Sequence, residues 1–287
     1  MLLEYAREIL GDAEAAASVG NTEKALACVR RLSLDDFGLL MLNMPNSAYP
    51  GLSRMLPRMA ADKIQDNWTG SHGLTLLKQS VNFVRAVHRN YETETQKSLS
   101  DARILDFGCG YGRLLRLMML FAKTDSLFGC DPWDESIRIC REDGIDCTLE
   151  ISDYLPTSLP FAANSMDLIY AFSVFTHTSL RATKCALDAL RTVVSPSGLL
   201  VITIRPLEYW DMDQRYAHEK ELLKQTHKDV GFVFRPHNRE AVDGDITYGD
   251  TSMTFDFLES ITPSWKIDGY DRSLDDPYQI LVYLKPT

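Results

Sequence analysis

Ile104-Leu105-Asp106-Phe107-Gly108-Cys109-Gly110-Tyr111-Gly112-Arg113-Leu114-Leu115-Arg116 decides how the rest of the chain folds. An apolar run closes on a small acid, three glycines alternate with other residues, and a helical pattern begins, so the stretch predicts strand, tight turn and helix. Such a turn visits positive φ and brings backbone close to a ligand, which is why glycine stands there. The helix after it starts with unpaired N–H groups that favour a polar or anionic ligand. A nucleotide-like molecule is therefore expected. The dinucleotide fingerprint would place a third glycine where Arg113 stands, and no phosphate-binding loop ending in Gly-Lys-Ser/Thr occurs.

Downstream, Leu127 to Asp131 is an apolar strand ending in an acid, one helix and one strand after Asp106. A carboxylate at that place can accept both hydroxyls of a ribose; the alternative is a cap for the next helix, for which Asp134 and Ser136 are also available. That helix, Glu135 to Asp143, stops at Gly144, and Asp146 to Glu150 forms a third strand followed by Ser152-Asp153-Tyr154. Ser165 to Ala171 is a buried fourth strand with a loop, Phe172 to His177, at its carboxyl end. A helix from Leu180 to Val194, a turn at Ser195-Pro196-Ser197-Gly198 and a fifth strand from Leu199 to Ile204 follow. Four strand ends thus converge on one crevice of an open α/β sheet.

The ordered series Asp-x-Gly-x-Gly-x-Gly, Asp131, Asp153, Leu159-Pro160-Phe161 and Phe172-Ser173-Val174-Phe175-Thr176-His177 resembles the class I S-adenosylmethionine (SAM) methyltransferases. The resemblance covers about residues 100 to 205, and the last two strands more loosely; its fourth-strand phrase is similar to a bacterial branch that modifies glycans and other small molecules. It implies a Rossmann-like α/β fold with a mostly parallel seven-stranded sheet, an antiparallel C-terminal hairpin and an N-terminal helical extension. It implies SAM as methyl donor, with Gly108, Gly110 and Gly112 shaping the turn around its methionine part. Asp106 would order that turn, Arg113 would pair with the SAM carboxylate or cover the helix start, and Asp131 would hold the ribose. Pro132 and Trp133 would flank the adenine, Asp153 and Tyr154 would meet its edge, and Ala171 and Phe172 would offer backbone oxygens near the sulfonium. His177, at the pocket mouth, is the candidate catalytic base or substrate-positioning residue, since an imidazole titrates in the useful range.

Absent motifs narrow the acceptor. No Asn/Asp-Pro-Pro-Tyr/Phe tetrapeptide or Pro-Cys pair follows the fourth strand, which disfavours DNA base methylation, and a formal charge of −10 disfavours a generic nucleic-acid partner. A hydroxyl on a small molecule, sugar or glycan is the expected acceptor. A non-catalytic SAM-binding module that recruits a partner through its N-terminal helices is the alternative.

Residues 1–65 are expected as a helical extension, with Leu3, Ala6, Leu10, Ala13 and Ala17 at helical spacing, Gly20-Asn21-Thr22 as stop and cap, and a second helix from Glu23 to about Leu32. The pair would pack on the main domain or serve a homodimer. Met44 to Leu56 reads as an irregular connection. Residues 66–287 form the methyltransferase domain, with an insertion at about 206–252. In it, Trp68 to His72 is a candidate lid, and the following helix, capped by Ser71 or Thr69, puts Leu74, Leu77, Val81, Val84 and Val87 on one stripe. Residues 236–252 read as loop. Glu208, Tyr209, Asp211, His218 and Tyr248 are second-rank candidates for the acceptor pocket. His218, His227 and His237 lack a short metal-ligand motif, so no metal is expected. Six scattered cysteines read as reduced, mostly buried thiols. Charges within the first eight residues and the lack of a long apolar run give neither a secretory signal nor a membrane span, so a cytoplasmic location is expected.

Overall fold

The strand that begins the glycine stretch, β1 (Ile104–Phe107), is buried along its whole length in the interior of a seven-stranded sheet. A computed structural model describes residues 3–287; Met1 and Leu2 of the expected first helix lie outside the described residues. Ahead of β1 come α1 (Arg7–Ser18), α2 (Thr22–Val29), α3 (Leu34–Leu42), α4 (Pro50–Met55), α5 (Asp62–Thr69) and α6 (Gly73–Thr95). After it run α7 (Arg113–Met118), β2 (Leu127–Asp131), α8 (Asp134–Glu142), β3 (Thr148–Ile151), β4 (Met166–Ala171), α9 (Leu180–Val193) and β5 (Val194–Ile204). The remainder comprises α10 (Tyr209–Met212), α11 (Lys220–Val230), β6 (Phe232–Pro236), β7 (Gly249–Met253), α12 (Phe255–Ile261), β8 (Trp265–Arg272) and β9 (Ile280–Pro286).

The sheet order is β3-β2-β1-β4-β5-β9-β8. Pairs among the first five strands are parallel, and β9 runs antiparallel to both β5 and β8. The chain winds outward from β1 to β3, then returns to place β4 on the other side of β1. That reversal opens a crevice at the carboxyl ends of β1 and β4, where open α/β sheets bind ligands.

Successive strand residues point to opposite faces, so each strand feeds two cores. Ile104 and Leu168 join Leu10, Phe37, Val84 and Leu115 in one core, which takes in α1, α3, α6 and α7. Leu105 and Ile169 join Leu187, Leu190, Leu258 and Val282 in the other. The N-terminal helices therefore share one core with the sheet.

Local chemistry accounts for several differences from the expected pattern. The Pro-rich connection contains α4, which starts with Pro50 at a position where a missing N–H is harmless. Neither Thr69 nor Ser71 caps α6; Thr69 Oγ1 donates to the Gln65 and Ser71 carbonyls, and Gln65 Oε1 accepts the Gly73 N–H instead. Leu74 is half exposed and Leu76 takes its place on the buried stripe. Val194 already pairs with Met166, and residues 195–198 bulge before pairing resumes at Leu168 with Leu199. Residues 236–252 are not all loop, because β7 pairs antiparallel with β6. All six cysteines are free, four of them buried. No helix of the described residues is long and apolar enough to cross a membrane.

Candidate active site

The glycine turn is held in place from below. The Gly108 and Cys109 N–H groups both donate to the Cys130 carbonyl at 2.8 and 3.0 Å, tying the turn to β2. Gly108 has φ +74° and a Cβ there would come within 2.4 Å of Val174 Cγ2; Gly112 has φ +75° and would meet Ile145 Cδ1 at 2.2 Å. Neither position tolerates a side chain. The Asp131 carboxylate then braces the turn, with Oδ2 accepting from Gly110 N and Oδ1 from Trp133 N, each at 2.9 Å.

Above the turn lies a cavity of about 270 Å³ bounded by the ends of β1, β2, β3 and β4. Asp106, Gly108, Gly110 and Arg113 line its floor, and Asp131, Pro132 and Trp133 one side. Asp153, Tyr154, Phe172 and His177 line it as well. Gly112 and Ala171 lie behind the wall, the first starting α7 and the second paired with Ile202 in the sheet.

Asp106 is buried, and its Oδ2 meets no donor. Burial raises its pKa to about 8 against the downward pull of Arg113. Arg113 Nη1 donates to Gln79 Oε1 and Ser80 Oγ, both at 2.8 Å, and its guanidinium lies 4.8 Å from the Phe172 ring centre. The Tyr111 and Ser136 hydroxyls, also on the cavity wall, are buried and unpartnered. Trp133 is exposed on one face and stacks with Trp68 at 4.8 Å and 15°. Trp68 also lies close against Gly110, so the expected lid segment does reach the cavity.

The far end is built by a network invisible in the sequence. Asp250, on β7, is fully buried and accepts from Arg205 and Tyr209 on Oδ1, and from Arg215, Tyr216 and His237 on Oδ2, at 2.6 to 2.9 Å. These donors hold its carboxyl well below the usual range despite burial. Arg205 also reaches His177 Nε2 at 2.9 Å, while His177 Nδ1 lies 2.7 Å from the Gly249 carbonyl. Nδ1 therefore carries the proton and Nε2 accepts from Arg205. Burial, then Arg205, lowers the His177 pKa to about 3, leaving a neutral ring with neither nitrogen free. Tyr248 stacks on it at 5.0 Å, and the Arg239 guanidinium lies 4.2 Å above Tyr248.

Of the second-rank candidates, only Tyr248 reaches the cavity. Tyr209 serves Asp250, Asp211 pairs with Lys220 and Lys224, and Glu208 and His218 are exposed. His227 is buried against Ser252, apart from His237. Ser173, which no sequence signal singles out, adopts φ +61°, a conformation uncommon for a side-chain-bearing residue and frequent at functional sites. Its backbone N–H donates to Thr203 Oγ1 at 2.7 Å.

A seven-stranded sheet of this order, with a glycine turn and three acids at or just after the ends of β1, β2 and β3, is the fold of the class I SAM-dependent methyltransferases. Residues 104–198 match the family model described as "Methyltransferase domain". Residues 104–198 thus carry a methyltransferase domain, and SAM is the cofactor of that domain. The PH0226 protein of Pyrococcus horikoshii OT3 is similar in fold, with a TM-score of 0.53 and 14% identity over 78% of this chain and 98% of that one. Magnesium protoporphyrin IX methyltransferase from Synechocystis PCC 6803, solved with S-adenosylhomocysteine (SAH), gives 0.49 at 14% identity, over 78% and 94%. A SAM-dependent methyltransferase from Methanosarcina mazei gives 0.46 at 18%, over 64% and 91%. No curated protein matches the chain.

Proposed function

We propose that the protein transfers the SAM methyl group to a hydroxyl of a small molecule or sugar in the cytoplasm. The observation that carries the donor assignment is Asp106: a buried carboxyl with an unpartnered oxygen on a cavity floor suits an ammonium, the group at the methionine end of SAM. Arg113, with donors left over after Gln79 and Ser80, suits the neighbouring carboxylate. Gly108, Gly110 and Gly112 keep the turn bare enough for backbone approach. Each Asp131 oxygen retains acceptor capacity for a ribose hydroxyl beyond the one backbone N–H it holds. Trp133 and Pro132 would flank the adenine and Asp153 and Tyr154 would meet its edge, with Trp68 stacked on Trp133. The Phe172 end of β4 would lie nearest the sulfonium, with Ala171 behind the wall.

Bound SAM supplies an activated methyl group and a good leaving group, so the chain needs chiefly to align the acceptor and exclude water. With both ring nitrogens engaged, His177 acts as a positioning residue: Arg205 and Gly249 fix its ring so that Tyr248 presents a firm wall to the acceptor. Residues 1–65 complete a core of the catalytic domain, and the insertion at about 206–252 shapes the acceptor end.

Calorimetric titration with SAH tests the donor site. Asp131→Ala removes two charge-assisted hydrogen bonds to ribose and weakens binding by about 2 to 4 kcal/mol, roughly 30- to 1000-fold. Wild-type affinity in that variant would remove the ribose assignment.

A further inference from the structure

The donor assignment leaves one charged side chain of the catalytic cavity unused. The acidic and basic residues on the lining are Asp106, Arg113, Asp131, Asp153, His177 and Arg239. SAM takes the four that end or follow β1, β2 and β3, and His177 is neutral with both ring nitrogens engaged. Arg239 remains. Arg113 is bonded to Gln79 and Ser80, whereas among the described residues Arg239 makes no ion pair and no side-chain hydrogen bond. Its planar fork of N–H donors is open.

Although Arg239 is exposed, its place in the wall is fixed. The guanidinium lies 4.2 Å from the centre of the Tyr248 ring, and Tyr248 in turn stacks on His177. The segment between β6 and β7 that carries both residues is tied to the start of α9. Tyr248 bridges to Thr178, Arg181 Nη1 donates to the Asp243 carbonyl at 2.7 Å, and Ser179 Oγ donates to the Asp245 carboxylate. An arginine seated on an aromatic face keeps its N–H edge free for a planar anion.

The rest of the lining says what that anion is attached to. Pro156, Val174, Ala182, Ala186 and Tyr248 give an apolar wall outside the donor groups, which suits a flat apolar body. One guanidinium matches one carboxylate through two parallel hydrogen bonds. A phosphate dianion would share the lining with the Asp131 and Asp153 carboxylates and have only this one cation beside it, so it fits less well.

We propose that the methyl acceptor is a monoanionic hydroxy acid with a flat apolar body, a hydroxylated aryl carboxylate, and that Arg239 holds its carboxylate against the Tyr248 wall. The inference rests on the donor assignment and the transfer to oxygen proposed above. In that transfer a hydroxyl oxygen donates a lone pair to the methyl carbon. The S–C bond breaks with its electron pair remaining on sulfur as SAH, and the hydroxyl proton leaves to water.

Calorimetry on the SAH-loaded full chain tests this with para-hydroxybenzoate, para-hydroxyphenylacetate and para-hydroxycinnamate, each beside its neutral primary amide. At least one acid should bind about tenfold or more tightly than its amide. Arg239→Gln should raise the Kd of that acid by about tenfold or more, while the amide and SAH itself stay within about threefold of wild type. Arg239→Lys keeps the charge without the fork and should fall between the two. Binding by none of the acids, equal affinity for acid and amide, or an acid affinity that Arg239→Gln leaves unchanged would overturn the proposal. So would loss of SAH binding in Arg239→Gln, which would give Arg239 to the donor. Mass spectrometry after incubation with SAM separates the two readings. Methyl ethers formed equally fast from acid and amide sink only the anionic class, whereas an acid held through Arg239 that yields no methyl ether sinks the transfer to oxygen.

Discussion

Asp106 ends β1 with a carboxyl that burial keeps largely protonated at neutral pH, since its pKa is raised to about 8. An ammonium placed against it favours the charged form and lowers that pKa. Binding SAH at pH 7 should therefore release roughly one proton, and the release should vanish above about pH 9, where the free site is already ionised. Titrations in phosphate and Tris, whose ionisation enthalpies differ, should give different apparent enthalpies for wild type and equal ones for Asp106→Asn. Equal values for wild type would remove the ammonium from Asp106. His177 titrates in the opposite sense. Its folded pKa is about 3 against an ordinary 6.5, so between those values the unfolded chain takes up the proton and acid weakens the fold. Urea unfolding should show about 2 kcal/mol lost to this group between pH 7 and pH 5, and His177→Gln should flatten that slope. Asp106, Asp131 and Arg113 were legible in the sequence because the turn that assembles them is local. Neither the commitment of both His177 nitrogens nor the role of Asp250 was, because Arg205, the Arg215–Tyr216 pair and His237 come from three separate segments.

At the scale of elements, the turn into α7 depends on Gly112. Gly112→Ala combines a left-handed backbone with a Cβ driven into Ile145, and should destabilise by about 2 to 4 kcal/mol, read as a lower urea midpoint with an unchanged slope. A midpoint within 0.5 kcal/mol of wild type, an order-of-magnitude threshold for tolerated surface changes, would show that the turn relaxes. The β6–β7 hairpin depends on Asp250 in a comparable way. Asp250→Asn leaves two arginines short of a carboxylate and should destabilise by about 3 to 5 kcal/mol, with greater loss at low salt. Strand and helix periods announced β1 to β5 and α9, whereas β7 hides in the polar run Gly249-Asp250-Thr251-Ser252-Met253. Its residues are buried through hydrogen bonds to other segments instead of by apolar side chains, so a hydrophobic pattern has nothing to register.

For the whole molecule, the sheet order followed from alternating strands and helices. The union of the N-terminal helices with the sheet core did not, because amphipathic stripes do not say which partner they meet. Leu10, Phe37 and Met41 are fully buried in the same core as Leu115 and Leu168. A chain beginning at residue 66 should therefore lose cooperative unfolding and bind a hydrophobic dye at neutral pH; a sharp transition in that truncated chain would show the extension to be dispensable. The stitching of the insertion onto the β4 loop has an effect on a different observable. The Gly249 and Thr251 amides donate to the His177 and Thr176 carbonyls at 2.8 and 2.9 Å, and Ser179 N donates back to Thr247. In deuterated water, these amides at the rim of the catalytic cavity should exchange at the pace of sheet amides, because freeing them means detaching β7 with its buried aspartate. Isotope uptake would then divide the cavity rim in two, with the acceptor end labelled last.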